Sequence, residues 1–439
     1  MALAEAPARK NIRCANFFRT FVVITSPNLL HPLNFEYFFA RRITFKTHRK
    51  ASGLMVRLSI ISMALAVATM EIALSFVQGF ETEIQKKVAG FGAHIQIGHF
   101  MRETDTEVIP MSTFEPTLDS VRRLPMVVSV SPYVERWAVL KAETGWDGVL
   151  LRGVGAEQDW SFFTTVLKEG RLPAYLPADT SASREVLISR KLARRLRLQV
   201  GDKTRLLFLP QPIRRRPAEV VGIYETGMEE FDNSIVICDM RLLQQIWRWK
   251  PHEVAGFRVY LRSMEDIPEA QPAINDALLY SAGADAITDL YPEIFDWLRL
   301  QHQNVWVILI LMVVVAVINM TTVVLVLIIE RIRTIGILKS MGLPAYRVRR
   351  MFVWYAFFLI LAGVIAGNLL GLGLLAAQDT WGWLRVNQED YFIETVPVAW
   401  VWGRFVLINA GVIIICTACM VIPTLVADRI TAIRAIRFE

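Results

Sequence analysis

The sequence predicts a membrane α-helical protein with four transmembrane helices and one large α+β domain inserted between the first and second helices. Three observations carry this reading. Four apolar stretches occur, at 55–77, 305–329, 352–377 and 405–427, each able to cross about 30 Å of hydrocarbon at about 1.5 Å per residue. They are unevenly spaced, with a polar block of roughly two hundred residues between the first and second. That block carries its own short strand and helix patterns, as an independent domain must.

The flanking charge sets orientation, because Lys and Arg in short loops resist translocation whereas long domains cross regardless of charge. Arg41, Arg42, Lys46, Arg49, Lys50 and Arg57 precede or open the first span. Arg331, Arg333, Lys339, Arg347, Arg349 and Arg350 link the second and third, and Arg429, Arg434 and Arg437 lie in the tail. These segments and both termini are therefore expected in the cytoplasm. The connection after the third span carries Asp379, Glu389, Asp390 and Glu394 and is expected outside with the large domain.

The predicted order is a cytoplasmic segment at 1–54, the first helix at 55–78 and the outside domain at 79–302. The second helix at 303–329, a cytoplasmic link at 330–350 and the third helix at 351–377 follow. An outer loop at 378–403, the fourth helix at 404–427 and a tail at 428–439 complete it. Within 34–54, Phe35, Phe38, Phe39, Ile43 and Phe45 interleave with the cations, as in a helix lying in the headgroup layer. No cleavable signal peptide is visible, since the start lacks a short apolar core and a small-residue cleavage site.

The formal net charge is +7. The cytoplasmic flanks facing anionic lipid account for it, so no nucleic acid partner is expected. Cys238 is alone in the outside domain and cannot form a disulfide within it. Cys416 and Cys419 have redox-motif spacing, yet on a lipid-embedded helix they read as small packing residues.

In the outside domain, strands are predicted at 94–97, 127–130, 139–142, 149–152, 186–188, 204–208, 219–224, 235–237 and 256–261. Helices are predicted at 81–88, 114–123, 190–197, 240–246 and 267–282. The approach at 287–303 shows no obvious breaker before the second span, so domain and span are expected to move as one lever.

No phosphate loop, zinc-protease or nucleophile-elbow motif is present, so energy is expected from a partner. His94 and His99 lack a nearby Cys or carboxylate at ligand spacing, and no metal site is expected. The link at 330–342 starts with charge at Glu330, Arg331 and Arg333. It carries an apolar stripe at Ile332, Ile335, Leu338 and Met341 with Lys339 between, and ends at Gly342 and Pro344. This is a short amphipathic helix, either a membrane-surface turn with snorkelling cations or a peg for an ATPase groove.

Residues 70–81 (MEIALSFVQGFE), 90–95 (GFGAHI), the link 330–342 (ERIRTIGILKSMG) and the ending from Asp428 resemble the lipoprotein-releasing permeases of LolC/LolE type, relatives of the MacB and FtsX permeases. The resemblance spans nearly the whole chain from Asn34. It implies a bacterial inner-membrane permease with a periplasmic α+β (MacB-like core) domain and no catalytic site or cofactor of its own. ATP and Mg would be bound by a separate cytoplasmic ATPase dimer. A second permease copy or a sibling permease would complete a cleft that takes a triacylated lipoprotein from membrane lipid and passes it to a periplasmic carrier.

On that resemblance, the residues coupling to the ATPase are Glu330, Arg331, Arg333, Ile335, Leu338, Lys339, Met341 and Gly342. The expected cavity wall is Met63, Val67, Met70, Glu71, Leu74 and Val77, with Leu311, Val315 and Ile318 facing it, although plain helix packing explains these residues too. Tyr391 and Phe392 match a Tyr-Phe pair beside the lipoprotein in the LolE branch; an aromatic interface belt is the other reading. Gly363, Gly367 and Gly371 allow close helix approach, within the subunit or at a dimer seam, with Asn368 available for an interhelical hydrogen bond.

Two departures stand out. Glu71 is a carboxylate where the family is apolar, and reaches water, meets a polar lipoprotein linker or is protonated. The carrier-recruiting hairpin of LolC is represented only by a short loop at 209–217, whose Arg214, Arg215 and Arg216 would meet an acidic partner. The alternatives are an FtsX-like scaffold controlling a cell-wall hydrolase and a MacB-like exporter, which normally has a fused ATPase.

Overall fold

The structure, a computed structural model, describes residues 50–99, 109–113, 116–174, 182–208, 213–278, 281–387 and 391–428. The expected headgroup-layer helix before residue 50, most of the 209–213 connection and the basic tail lie outside the described residues.

Four helices among the described residues are long and apolar enough to cross a membrane. Helix α1 (Lys50–Gly92) has 43 residues, about twice what a span requires. The helix expected at 81–88 is its continuation, because nothing at Gln78 to Phe80 breaks the hydrogen-bond ladder. Helix α2 (Pro292–Glu330) starts on a proline, whose missing N–H is harmless in a first turn. A one-turn helix, Ile287–Leu290, precedes it and ends at Tyr291 with φ −129° and ψ 59°. The approach to the second span therefore does contain a break, contrary to the sequence reading.

Helices α3 (Ile332–Ser340) and α4 (Ala345–Trp381) follow. The fourth span is divided into α5 (Trp402–Cys419) and α6 (Val421–Asp428). Pro423 has no N–H to donate to the carbonyl four residues back, so the ladder is interrupted at Met420.

Two compact units result. The membrane unit contains α1 up to Glu71, Leu309–Leu372 and the chain from Trp402; the outer unit contains Ile72–Ile308 and Gly373–Val401. The outer unit has strands β1 (Ile95–His99), β2 (Met111–Ser112), β3 (Val127–Lys141), β4 (Trp146–Val154), β5 (Leu167–Gly170), β6 (Glu185–Ser189), β7 (Lys203–Phe208), β8 (Arg214–Tyr224), β9 (Ile235–Asp239), β10 (Glu253–Val254), β11 (Gly256–Leu261) and β12 (Ala282–Ala286).

Ten of these form one mixed sheet, nine of them in the order β12-β1-β11-β3-β4-β9-β6-β8-β5 and β7 off that path. Strand β7 pairs with both β8 and the last three residues of β3. The strands β3-β4-β9-β6-β8-β7 thereby close on themselves, which removes their open edges. The strands expected at 127–130 and 139–142 are the two ends of the single strand β3, which continues through Pro132. The helix expected at 267–282 divides into Ile267–Ala277 and strand β12.

The end of α1 is buried in this unit. Phe91 stacks on Phe231 at 4.5 Å and lies 5.7 Å from both Phe163 and Tyr224. Gly90 leaves room for Phe162, since a Cβ there would fall 2.3 Å from its ring. Ala93 then turns into the left-handed region at φ 64°, its N–H donating to Ala89 O at 2.8 Å, and this ends the helix. Arg152 Nη1 donates to Phe91 O at 2.8 Å while its Nε donates to Glu135 at 2.6 Å. Arg258 donates to the same Glu135 oxygen at 2.6 Å.

His94 follows that helix end, and its Nδ1 accepts from Leu261 N–H at 3.2 Å. Burial lowers its pKa to about 4, with Asp266 opposing. The folded state thus resists protonation relative to an unfolded chain with a pKa near 6.5. The contribution to stability is complete above pH 6.5 and is lost as pH falls towards 4, amounting to about 3 kcal/mol. Denaturant unfolding of the full chain, followed by tryptophan fluorescence, should show this loss between pH 6.5 and 4. His94→Asn, which keeps an acceptor but does not titrate, should remove that slope.

Candidate functional site

In the membrane unit, the three glycines of α4 lie on α1. A Cβ at Gly363 would fall 2.5 Å from Met63 Cγ, one at Gly367 2.8 Å from Ala64 O and from Val67 Cβ, and one at Gly371 2.6 Å from Glu71 Oε2. Lipid supplies no hydrophobic drive between helices, so close backbone contact through small residues holds them. This places the glycine stripe inside the subunit rather than at a dimer seam.

The same packing changes the expected cavity wall. Met63, Val67, Met70 and Glu71 are at most 1% exposed, so they are interior packing and not an open wall. The exposed side of α1 is instead Leu54, Leu58, Ile61 and Leu65. Leu311, Val315 and Ile318 on α2 are exposed, as a wall residue must be. In the outer unit Leu74 is buried and Val77 half-buried.

Glu71 is buried, with 0% of its surface exposed. Its Oε1 accepts from Asn409 Nδ2 at 3.1 Å. Asn409 and Asn368 exchange hydrogen bonds of 2.9 and 3.0 Å. One polar bridge therefore joins α1, α4 and α5. Asn409 was missed in the sequence; the available signal was an amide side chain in an apolar span. Cys416 and Cys419 are both free, and Cys416 is fully buried.

The link between the second and third spans forms a discrete helix, α3. Arg331 breaks it from α2, and Gly342 at φ 91° ends it, with Leu343 N–H donating to Leu338 O at 3.1 Å. Ile335 is buried, Ile332, Leu338, Arg331 and Lys339 are half-buried, and Glu330 is exposed. Arg333, Ile337 and Met341 recur every four residues and are all exposed. Met341 therefore belongs to the exposed face and not to the packed stripe. Ile337, overlooked in the sequence, stands at the centre of that face.

In the outer unit, Lys87 Nζ donates to Phe392 O at 2.7 Å and to Thr226 O at 2.9 Å. Burial lowers the Lys87 pKa, opposed by Glu83, Asp232 and Glu394. Phe392 is held in the left-handed region at φ 62°, which costs about 1 kcal/mol or more without a compensating contact. Its ring meets Trp297 at 6.4 Å, whereas the exposed Tyr391 meets Phe80 at 6.2 Å.

The arginine triplet is not a loop. Arg214, Arg215 and Arg216 open β8 and pair with Phe208, Leu207 and Leu206 of β7. Arg214 is half-buried and donates to Ile246 O. Alternation along a strand places neighbours on opposite faces, so the triplet is not one compact patch, and only Arg215 and Arg216 are exposed.

The MacB-like periplasmic core domain matches residues 57–277, half of the chain, and the FtsX-like permease C-terminal domain matches residues 306–431. The lipoprotein-releasing system transmembrane protein LolC of Neisseria meningitidis serogroup B is 26% identical over 89% of this chain and 96% of its own length. The corresponding LolE of Haemophilus influenzae is 21% identical over 80% of this chain and 86% of its own. The periplasmic region of MacB from Actinobacillus actinomycetemcomitans aligns with a TM-score of 0.33 and 14% identity, covering 46% of this chain and 91% of that one.

Four spans, a MacB-like domain between the first two and an FtsX-like C-terminal half define a multi-pass inner-membrane permease subunit. The chain belongs to the LolC/LolE-type permeases of the MacB/FtsX-like superfamily.

The glycine contacts predict a specific cost. Gly367→Ile must separate α1 from α4 and should destabilise the detergent-solubilised protein by about 1–3 kcal/mol. Ile365→Leu on the exposed side of α4 should leave its thermal unfolding unchanged.

Proposed function

We propose that this chain is the permease subunit of an ABC complex that extracts triacylated lipoproteins from the outer leaflet of the inner membrane and passes them to a periplasmic carrier. The observation that carries this reading is the likeness to LolC over 89% of the chain, joined to an isolated, capped helix α3 with an outward face. A separate cytoplasmic ATPase dimer binds ATP and Mg, and its closure acts on Arg333, Ile337 and Met341, with Glu330, Arg331, Ile335, Leu338, Lys339 and Gly342 shaping the peg. Both termini and α3 are cytoplasmic and the β-rich unit is periplasmic.

A second copy or a sibling permease completes the acyl cleft. Its wall on this subunit is the exposed α2 face of Leu311, Val315 and Ile318 and the exposed α1 face of Leu58, Ile61 and Leu65. Energy input is necessary because each CH₂ leaving lipid costs about 0.8 kcal/mol. Tyr391 meets the cargo, with Phe392 fixing the loop behind it. Arg215 and Arg216 are the carrier-facing cations.

A photo-crosslinker at Tyr391, with mass spectrometry of the complex purified from native membranes, should capture triacylated lipoproteins together with an ATPase. Capture of a cell-wall hydrolase and no lipoprotein would point to the FtsX-like scaffold. Ile337→Asp should uncouple the complex, lowering ATP-driven release at least about tenfold, as loss of one buried apolar contact of ~1.4 kcal/mol or more requires. The thermal stability of the permease itself should not change.

A further inference from the structure

Just outside the apolar runs of α1 and α2, a cleft of about 800 Å³ opens between the two helices within the outer unit. It is lined by Glu81 of α1, by Asp289 just before α2, and by Asp296, Arg299, His302 and Gln303 of α2. Glu81 lies four residues beyond Val77, and His302 three residues before Val305. At about 1.5 Å per residue they stand roughly 4–6 Å outside the hydrocarbon. That is the depth of the headgroup layer, about 5–8 Å thick on each face of the bilayer.

Asp296, Arg299, Gln303 and Trp306 recur every three or four residues, so they share one face of α2, and all four are exposed. Followed towards the membrane, that face runs from a carboxyl to a guanidinium, with His302 beside it, and then to the exposed Trp306, Val307 and Ile308. An amine-bearing phospholipid presents the complementary order: ammonium, phosphate, acyl chains. Arg299 and Asp296 lie 3.4 Å apart and are 72% and 63% exposed, so their mutual attraction is small and readily exchanged for a ligand's. His302 Nδ1 is 3.8 Å from Glu81 Oε2. Three acidic side chains against one guanidinium oppose a headgroup charged only by its phosphate. They favour one that also carries a primary ammonium, with N–H groups to donate.

We propose that this cleft binds the headgroup of a zwitterionic phospholipid of the outer leaflet, a phosphate carrying a primary ammonium. Arg299 and His302 meet the phosphate, Glu81 and Asp296 accept from the ammonium, and the acyl chains lie against Trp306, Val307 and Ile308. The bound lipid fills the space between α1 and α2 at the bilayer surface. The site depends only on the passage of these two helices into the membrane, so it stands apart from the release reading.

The test uses the purified complex, stripped of lipid in detergent and supplied with phosphatidylethanolamine or phosphatidylglycerol, with native mass spectrometry to count the lipid retained. The expected result is a preference of at least about tenfold for phosphatidylethanolamine, as one charge-assisted hydrogen bond supplies. Glu81→Gln combined with Asp296→Asn should abolish that preference. Glu293→Gln, at an exposed position of α2 outside the cleft, should leave it unchanged. Equal retention of the two lipids by the unaltered chain, or an undiminished preference in the double variant, would overturn the site. A photo-crosslinker at Gln303, with the complex in vesicles of both lipids, checks the same point while keeping every acidic side chain. An adduct with phosphatidylethanolamine is expected there. Phosphatidylglycerol, lipoprotein cargo or no adduct at Gln303 would overturn the lipid site, and cargo at that position would leave the release reading intact.

Discussion

The structure depends most on one shared carboxylate. Glu135 receives Arg152 and Arg258, each at 2.6 Å, and Arg152 reaches on to the carbonyl of Phe91 at the end of α1. Both guanidiniums are 2% exposed, and each lies 4.6 Å from an aromatic ring, Phe91 for Arg152 and Tyr133 for Arg258. Burial and mutual repulsion lower the Arg258 pKa, whereas the charge and hydrogen bond of Glu135 outweigh burial at Arg152 and raise it. Such a cluster is costly to assemble and costlier to break, because removing the carboxylate leaves two buried cations without compensation. The end of α1 and the sheet of the outer unit are consequently tied together.

The membrane unit obtains rigidity by other means. Hydrocarbon offers no drive for apolar helices to associate, so close contact and polar bridges must supply it. The glycine stripe of α4 provides the contact, and Glu71, Asn368 and Asn409 provide the bridge. Gly371 and Glu71 depend on each other, since the carboxyl occupies the space a Cβ would take. The apolar faces left exposed are those of Leu58, Ile61 and Leu65 on α1 and of Leu311, Val315 and Ile318 on α2.

Much of this was legible in the sequence because long apolar runs, cation placement and β-branched strands follow from solvation and backbone sterics. The four spans, the order of domains and the short helix α3 are of that kind. What was not legible depended on partners distant in sequence. The stripe Met63, Val67 and Met70 looked like a cavity wall, and only the position of the α4 glycines shows that it is filled. Arg214, Arg215 and Arg216 looked like a loop because Pro212 and Pro217 flank them, yet pairing with β7 makes them a strand. The division of the fourth span had a local signal in Pro423, and the latch from Lys87 to the Phe392 carbonyl, 305 residues apart, had none.

The most direct measurement of the central claim is transfer of a labelled triacylated lipoprotein out of proteoliposomes containing this chain, its ATPase and any sibling permease, with a soluble carrier outside. ATP-dependent appearance of the lipoprotein in the carrier fraction, absent with a non-hydrolysable nucleotide, is the predicted result. Normal ATP hydrolysis with the lipoprotein remaining in the vesicles would contradict the account.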